Sequence, residues 1–463
     1  MGDRIPIEII LHILSYLPKK EIIKLLTINH NWFNVVSKQI YNTIVLRDKK
    51  DLFNIRNLFT ATAKQSLQHN HGFYSSYNYG ALVRKLDLSR LDCCNLVTDP
   101  VLRDLTLDTQ NLTSLNLYNC HQVTDTIFKM ILVKAIHIKH LFLAGATQLT
   151  GNALISIRSK PPILQTLNIY LIPDFFHNMS SRKLGALKPV LGNLRTFKAG
   201  KLCTRHSEIL CTSFEGLEEL WLHGATDHQV RSILMQHHRN NTGCLKSLTL
   251  KYCKLDKVTF SYIPRSIRHL TYEHGPCSDY GWLHKHIQNL VTLRLTYSAD
   301  FSLDEHLHQA RALRVFAPPC ISGICGLPHW SSSINRLILT IPMVSEDFDI
   351  LMDAYCNQLV ELQVVGSGLQ KSFGRFMPCL KIFVWKVEYI PLTRFQTLPR
   401  LIPLLRVLAI GVNDERDDNI VNTLEGWKYL EVYHLKVKEP SGLEYDFGHD
   451  FQYWEKHDDV CRK

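Results

Sequence analysis

The sequence holds no run approaching the ~18 consecutive apolar residues that a membrane-crossing helix needs, so no spanning helix is expected. Its first residues, MGDRIPIEII, put Asp3 and Glu8 among the apolar positions and offer no small-residue cleavage site, which argues against a secretory signal. The 13 cysteines are odd in number, and apart from the adjacent Cys93 and Cys94 they are scattered without paired C-x-x-C spacing. That excludes a zinc module and a disulfide scaffold and predicts reduced thiols, hence a cytoplasmic and/or nuclear protein. In that setting the three N-x-S/T triplets at Asn111, Asn178 and Asn240 are chance occurrences. Catalytic signatures are missing too: there is no G-x-x-x-x-G-K-[ST], no H-E-x-x-H and no G-x-S-x-G. Gly366-Ser367-Gly368 lacks the third glycine and reads as a turn, His69 and His71 lack a third ligand, and His237-His238 falls on an outward helix. No catalytic residue, metal or cofactor is expected.

What the chain has is ordinary globular material. Of 463 residues, 45% are hydrophobic and 21% charged, which is enough for a packed core. The balance of 53 basic against 42 acidic residues gives +11. Such a charge is compatible with acidic partners or nucleic acid and reports nothing about fold.

Internal periodicity is the dominant signal. The kernel apolar-x-x-apolar-x-apolar occurs as Val83-x-x-Leu86-x-Leu88, Leu112-x-x-Leu115-x-Leu117, Ile138-x-x-Leu141-x-Leu143 and Leu164-x-x-Leu167-x-Ile169. It returns with first positions at Leu194, Leu217, Leu245, Ile267, Leu290, Leu313, Ile334, Leu359, Leu380, Leu405 and Leu430. The mean spacing is about 25 residues, inside the range of leucine-rich repeats. Leu115-x-Leu117-x-x-Cys120-x-x-Val123-Thr124-Asp125 resembles the cysteine-containing subtype of that repeat, whereas the copies between 313 and 380 drift. Apolar side chains two apart on a strand face the same way, and one repeat cannot bury its own apolar face, so neighbours must stack. Helix-spaced Ile127, Ile131 and Leu132, and again Val230, Ile233 and Leu234, fit helices on the outer side.

Residues 5–37 follow another rule. Ile9, Ile10, Ile13, Leu14 and Leu17 form an apolar stripe between Pro6 and Pro18. A second helix begins at Glu21 with Ile22, Leu25, Leu26 and Ile28, and a third carries Trp32, Val35 and Val36. Three helices in so short a span bury little and leave apolar surface for a partner. The string Ile5-Pro6-x-Glu8-Ile9-Ile10-x-x-Ile13-Leu14-x-x-Leu17-Pro18, followed by Ile22, Leu25, Ile28 and Trp32, resembles the F-box motif L-P-x-E-[IL]-L-x-x-I-x-x-[YH]-L, L-x-x-L, V-C-x-x-W. It departs at Ile5, and at Ile28-Asn29 where the motif has Val-Cys.

An F-box followed by such repeats resembles the F-box/leucine-rich-repeat family over nearly the whole length. The resemblance implies an α/β solenoid in which a three-helix F-box precedes a curved horseshoe with a concave parallel sheet and convex helices. The expected division is 1–46 F-box, 47–82 linker helix and loop, 83–440 about fifteen repeats, and 441–463 a tail that caps the last repeat or folds over the concave face. It implies a non-catalytic substrate receptor of an SCF-type ubiquitin ligase, docked on a Skp-type adaptor and cullin–RING ligase and holding a protein substrate on the repeats. The adaptor-facing group carried over is Pro6, Ile9, Ile10, Ile13, Leu14, Leu17, Pro18 and Trp32. The competing reading is a repeat scaffold that acts without a ligase.

Side chains flanking the middle apolar residue of each kernel project from the strand face. The substrate-binding candidates are Tyr170, Lys198, Trp221, His223, Lys251, His269, Arg294, Arg336 and Lys386. Aromatic and arginine side chains are common recognition anchors, and a basic face favours an acidic or phosphorylated segment. Nucleic acid is disfavoured, because the basic residues are spread over the repeats and are not clustered with stacking aromatics.

Overall fold

The computed structural model describes residues 5–68, 78–159, 164–172, 175–202, 209, 212–240, 243–273, 283, 285–295, 310, 313–317, 332–339, 345–365, 375–386, 392–412, 430 and 432–437. The chain forms two compact units, Met1–Leu313 and Arg314–Lys463.

The first unit opens with three helices: α1 (Ile7–Tyr16), α2 (Lys19–Lys24) and α3 (His30–Tyr41). Pro6 and Pro18 stand at the N-caps of α1 and α2, where the missing N–H costs nothing. Asn29 caps α3, its side chain accepting from the Trp32 N–H at 3.0 Å. Ile10, Leu14, Ile22, Trp32, Val35 and Val36 form the bundle core, with Leu17, Leu25, Leu26 and Ile40 packed on its edge.

The chain then enters a parallel sheet whose first-unit strands are β1 (Thr43–Val45), β2 (Lys85–Asp87), β3 (Ser114–Asn116), β4 (His140–Phe142), β5 (Thr166–Ile169), β6 (Thr196–Ala199), β7 (Glu219–His223), β8 (Ser247–Lys251), β9 (His269–Glu273) and β10 (Thr292–Leu295). Each pairs in parallel with the next. The middle apolar residues meet in direct register, from Leu86 and Leu115 through Leu220 and Leu248 to Leu293, and all are buried. Repetition at constant register makes one continuous leucine column, so every copy is buried by the copies before and after it.

The second unit repeats the rule in β11 (Val315–Ala317), β12 (Arg336–Ile338), β13 (Glu361–Val365), β14 (Ile382–Lys386), β15 (Val407–Val412) and β16 (Val432–Val437). Phe316, Leu337, Leu362, Phe383 and Leu408 meet in direct register within this unit and are buried. Every one of the fifteen kernels therefore leads into its own strand, including the drifted copies.

The stack begins earlier than the first kernel read from the sequence. Thr43–Val45 pairs with Lys85–Asp87, and Ile44 and Leu46 are buried. Asn42 C=O accepts from the Arg84 and Lys85 N–H groups at 3.0 and 2.9 Å. Helix α4 (Lys49–Gln68) follows β1 and packs beside α5 (Asp99–Leu105), where Arg56 pairs with Asp104 at 2.7 Å. The helix of the 47–82 segment thus lies beside the outer helix of the following repeat, and β1 joins the bundle directly to the sheet.

Between repeats, carboxylates at helix starts tie one turn to the next. Asp99 accepts from the Thr124 N–H at 2.8 Å and hydroxyl at 2.5 Å, and Asp125 does the same for Thr150 at 2.8 and 2.5 Å. Thr124 caps α6 (Asp125–Lys134), so one side chain ends a helix and anchors the adjacent repeat. Gly151 interrupts the series, which returns at Asp227, whose carboxylate accepts from the Asp256 N–H at 3.0 Å and the Thr259 hydroxyl at 2.6 Å. Residues 69–77, the 366–368 turn and the tail beyond 437, for which sequence expectations exist, lie outside the described residues.

Candidate functional site

Two surfaces carry side chains that the fold does not consume. On the bundle, α1 reads IEIILHILSY, apolar at too many positions to bury. Ile10 and Leu14 turn inward, whereas Ile7 and Ile9 are 52% and 50% exposed and Leu11, Ile13 and Tyr16 are exposed as well. Ile9, Ile13 and Tyr16 recur at helical spacing on one stripe, and His12 meets the edge of the Tyr16 ring at 5.0 Å. Ile23 and Ile28 add exposed apolar surface after α1.

The adaptor-facing residues expected from sequence therefore divide. Pro6, Ile9, Ile13 and Pro18 are exposed, but Ile10, Leu14 and Trp32 are core residues of the bundle and Leu17 closes its edge. Ile7, Leu11, Tyr16, Ile23 and Ile28 join the exposed set and were not in the expected group.

The second surface is the solvent-facing side of the sheet. In register, Asn168, Lys198, Trp221, Thr249 and Thr271 form one row, with Thr166, Thr196, Glu219, Ser247 and His269 in the row beside it. Tyr170, one residue beyond β5, meets Trp221 edge-on at 4.4 Å and His223 at 5.5 Å. Trp221 and His223 are near parallel at 6.1 Å, and His223 touches Tyr252 at 4.9 Å. Tyr252 follows β8 in a turn, a position that strand-face reasoning does not reach.

Three cations of this face have carboxylate neighbours on the next strand. Lys198 pairs with Glu219 at 2.8 Å, Lys251 with Glu273 at 2.7 Å and, in the second unit, Arg336 with Glu361 at 3.5 Å. At these three positions the charge that reads as basic in sequence is compensated by the neighbouring strand. His269 Nδ1 lies 3.0 Å from the Thr292 hydroxyl, and burial first, then Arg268, lower its pKa, so the ring is held neutral at physiological pH. Arg294 is half-buried in β10, and Lys386 ends β14. Arg336 and Lys386 belong to the second unit and the other candidates to the first.

Residues 3–43 match the F-box domain model. The chain begins with an F-box. A 166-residue stretch is 26% identical to the SCF E3 ubiquitin ligase complex F-box protein pof2 of Schizosaccharomyces pombe, covering 36% of this chain and 33% of that protein. The alignment thus spans about a third of that relative's length. Among solved structures, the yeast Rad7 and Elc1 complex matches at 14% identity and a TM-score of 0.40, covering 97% of this chain and 100% of that one. An internalin (inlF) of Listeria monocytogenes matches at 16% identity and a TM-score of 0.31, covering 75% and 86%.

The F-box departs from its motif at Asn29, and the structure supplies a reason. Asn29 closes the first turn of α3 with a side-chain hydrogen bond that cysteine in its place would make only weakly. Among the described residues no helix is long and apolar enough to cross a membrane, and no group of three His, Cys, Asp or Glu side chains is placed to hold a metal ion.

Proposed function

We propose that this chain is the substrate-recognition subunit of an SCF-type ubiquitin ligase, its F-box docking on a Skp-type adaptor and its repeat face holding a protein substrate. One observation carries the reading: the F-box completes its own core and still leaves Ile9, Ile13 and their apolar neighbours in water. Each such side chain buried by a partner contributes ~1.5–3 kcal/mol, so a few of them suffice for stable docking. The receptor performs no bond chemistry; its work is to position a substrate for the ligase, in the cytoplasm or nucleus. The face is built from side chains between the buried leucines.

Co-expression with a Skp-type adaptor tests this. The wild-type chain should co-purify with the adaptor, and Ile9→Asp combined with Ile13→Asp should abolish capture while leaving the circular dichroism spectrum unchanged. A well-folded wild-type chain that never captures the adaptor would leave a repeat scaffold independent of any ligase.

A further inference from the structure

Five turns that follow strands of the first unit share one backbone conformation. Asn119, Gly145, Leu171, Gly224 and Tyr252 each stand two residues past the last inward residue of a repeat, with φ of 58°, 78°, 61°, 67° and 54°. Glycine and asparagine tolerate this left-handed region, whereas a leucine or tyrosine there is strained. Burial does not offset that strain, for Leu171 is 41% and Tyr252 50% exposed. Both unfavourable residues flank the same place: Leu171 adjoins Tyr170, and Tyr252 packs on His223.

A second feature shapes that place. Ala199 pairs with Ile169 and Leu222, so the next residue of the middle strand, Gly200, brings no side chain between the strands that lead into Tyr170 and His223. The Tyr170 ring stands 4.4 Å from Trp221, although the two residues belong to strands separated by β6. The result is an aromatic platform bordered by Lys198–Glu219 and Lys251–Glu273, two ion pairs that cancel within themselves. An incoming acid would have to compete with carboxylates already 2.8 and 2.7 Å from those lysines. Charge complementarity therefore favours an uncharged occupant, and aromatic platforms suit extended segments with proline or aliphatic anchors.

We propose that Tyr170, Trp221, His223 and Tyr252, with Leu171 at their margin, form the anchor subsite for an uncharged, extended peptide segment bearing proline or aliphatic residues. The proposal rests on the receptor reading for its biological sense and deepens it by naming the substrate class. Selection of a phage-displayed random peptide library on the purified full chain tests it. Enriched peptides should be rich in proline and aliphatic residues and near neutral, and their affinity should change less than about threefold on raising salt, since little of it is ionic. Trp221→Ala should weaken the selected peptide at least tenfold. Tyr252→Gly, which relieves the turn, should weaken it about fivefold while the melting temperature holds or rises, so loss of binding cannot be ascribed to unfolding. Acidic consensus sequences with steep salt dependence, binding indifferent to both substitutions, or a selection that enriches nothing would overturn the proposal. Adaptor capture by the same variants separates the two readings: it should be intact in Trp221→Ala and Tyr252→Gly, and its absence from the wild type would strike the ligase reading alone.

Discussion

The F-box and the repeats spend the same kinds of residue in opposite ways. Within each unit, the middle apolar residues, Leu86 to Leu293 and Phe316 to Leu408, are buried among their neighbouring repeats. In α1, Ile10 and Leu14 suffice for the bundle core, and the remaining isoleucines stay at the surface. A repeating architecture saturates its own apolar surface, because each unit is the partner of the next. A three-helix bundle has no such neighbour. Recognition by the stack therefore falls to polar and aromatic residues between the leucines, and recognition by the bundle falls to aliphatic ones.

The contrast breaks if equivalent truncations in the two regions behave alike. Leu248→Ala, in the middle of the leucine column, should cost about 2–5 kcal/mol of unfolding free energy, read from urea titration. Ile9→Ala should lie within about 0.5 kcal/mol of wild type, because its side chain is already half in water. A large loss at Ile9 would make it a fold residue and remove it from the docking surface.

The repeat-to-repeat carboxylates sharpen the comparison at the next level down. Asp99→Ala removes both acceptors of Thr124 and should lower stability by about 1–2 kcal/mol. Thermal unfolding of Asp99→Ala beside Asp125→Ala should give similar losses if the bond is a property of the repeat and not of one site.

The stack was nearly transparent in the sequence because its signal is local: three apolar positions fix strand, facing and register together. The one repeat that escaped shows what that signal needs. Its kernel, Tyr41-x-x-Ile44-x-Leu46, has an aromatic first position still inside α3, and the 20-residue α4 stretches the distance to Val83 beyond the usual period. The F-box was recognisable by spacing, yet spacing could not divide its residues into core and surface. In IEIILHIL almost any face is apolar, so the division comes only from where α2 and α3 pack. On the sheet face the sequence names residues between the buried leucines, whereas their pairing is invisible to it. Glu219 and Glu273 neutralise lysines on neighbouring strands, 21 and 22 residues away in sequence. Tyr252 joins the aromatic group from a turn that obeys no strand alternation.

The smallest expected effect concerns acid. His237 lies in the outer helix Asp227–Asn240, is buried, and its Nε2 makes no hydrogen bond among the described residues. Desolvation lowers its pKa below the ordinary value, so the folded chain resists a proton that the unfolded chain accepts. Above about pH 6.5 both states hold the neutral ring and the group contributes nothing to pH dependence. As pH falls through that value the unfolded state gains protons first, and stability declines until the lowered folded value is passed. Melting temperatures measured at neutral and mildly acidic pH should therefore fall less for His237→Leu than for wild type. The comparison is informative because the aliphatic replacement keeps the site filled and removes only the proton. If His237→Leu retains the full acid loss, the stack owes its pH sensitivity to other groups and the outer helices behave, like the leucine column beneath them, as electrostatically silent packing.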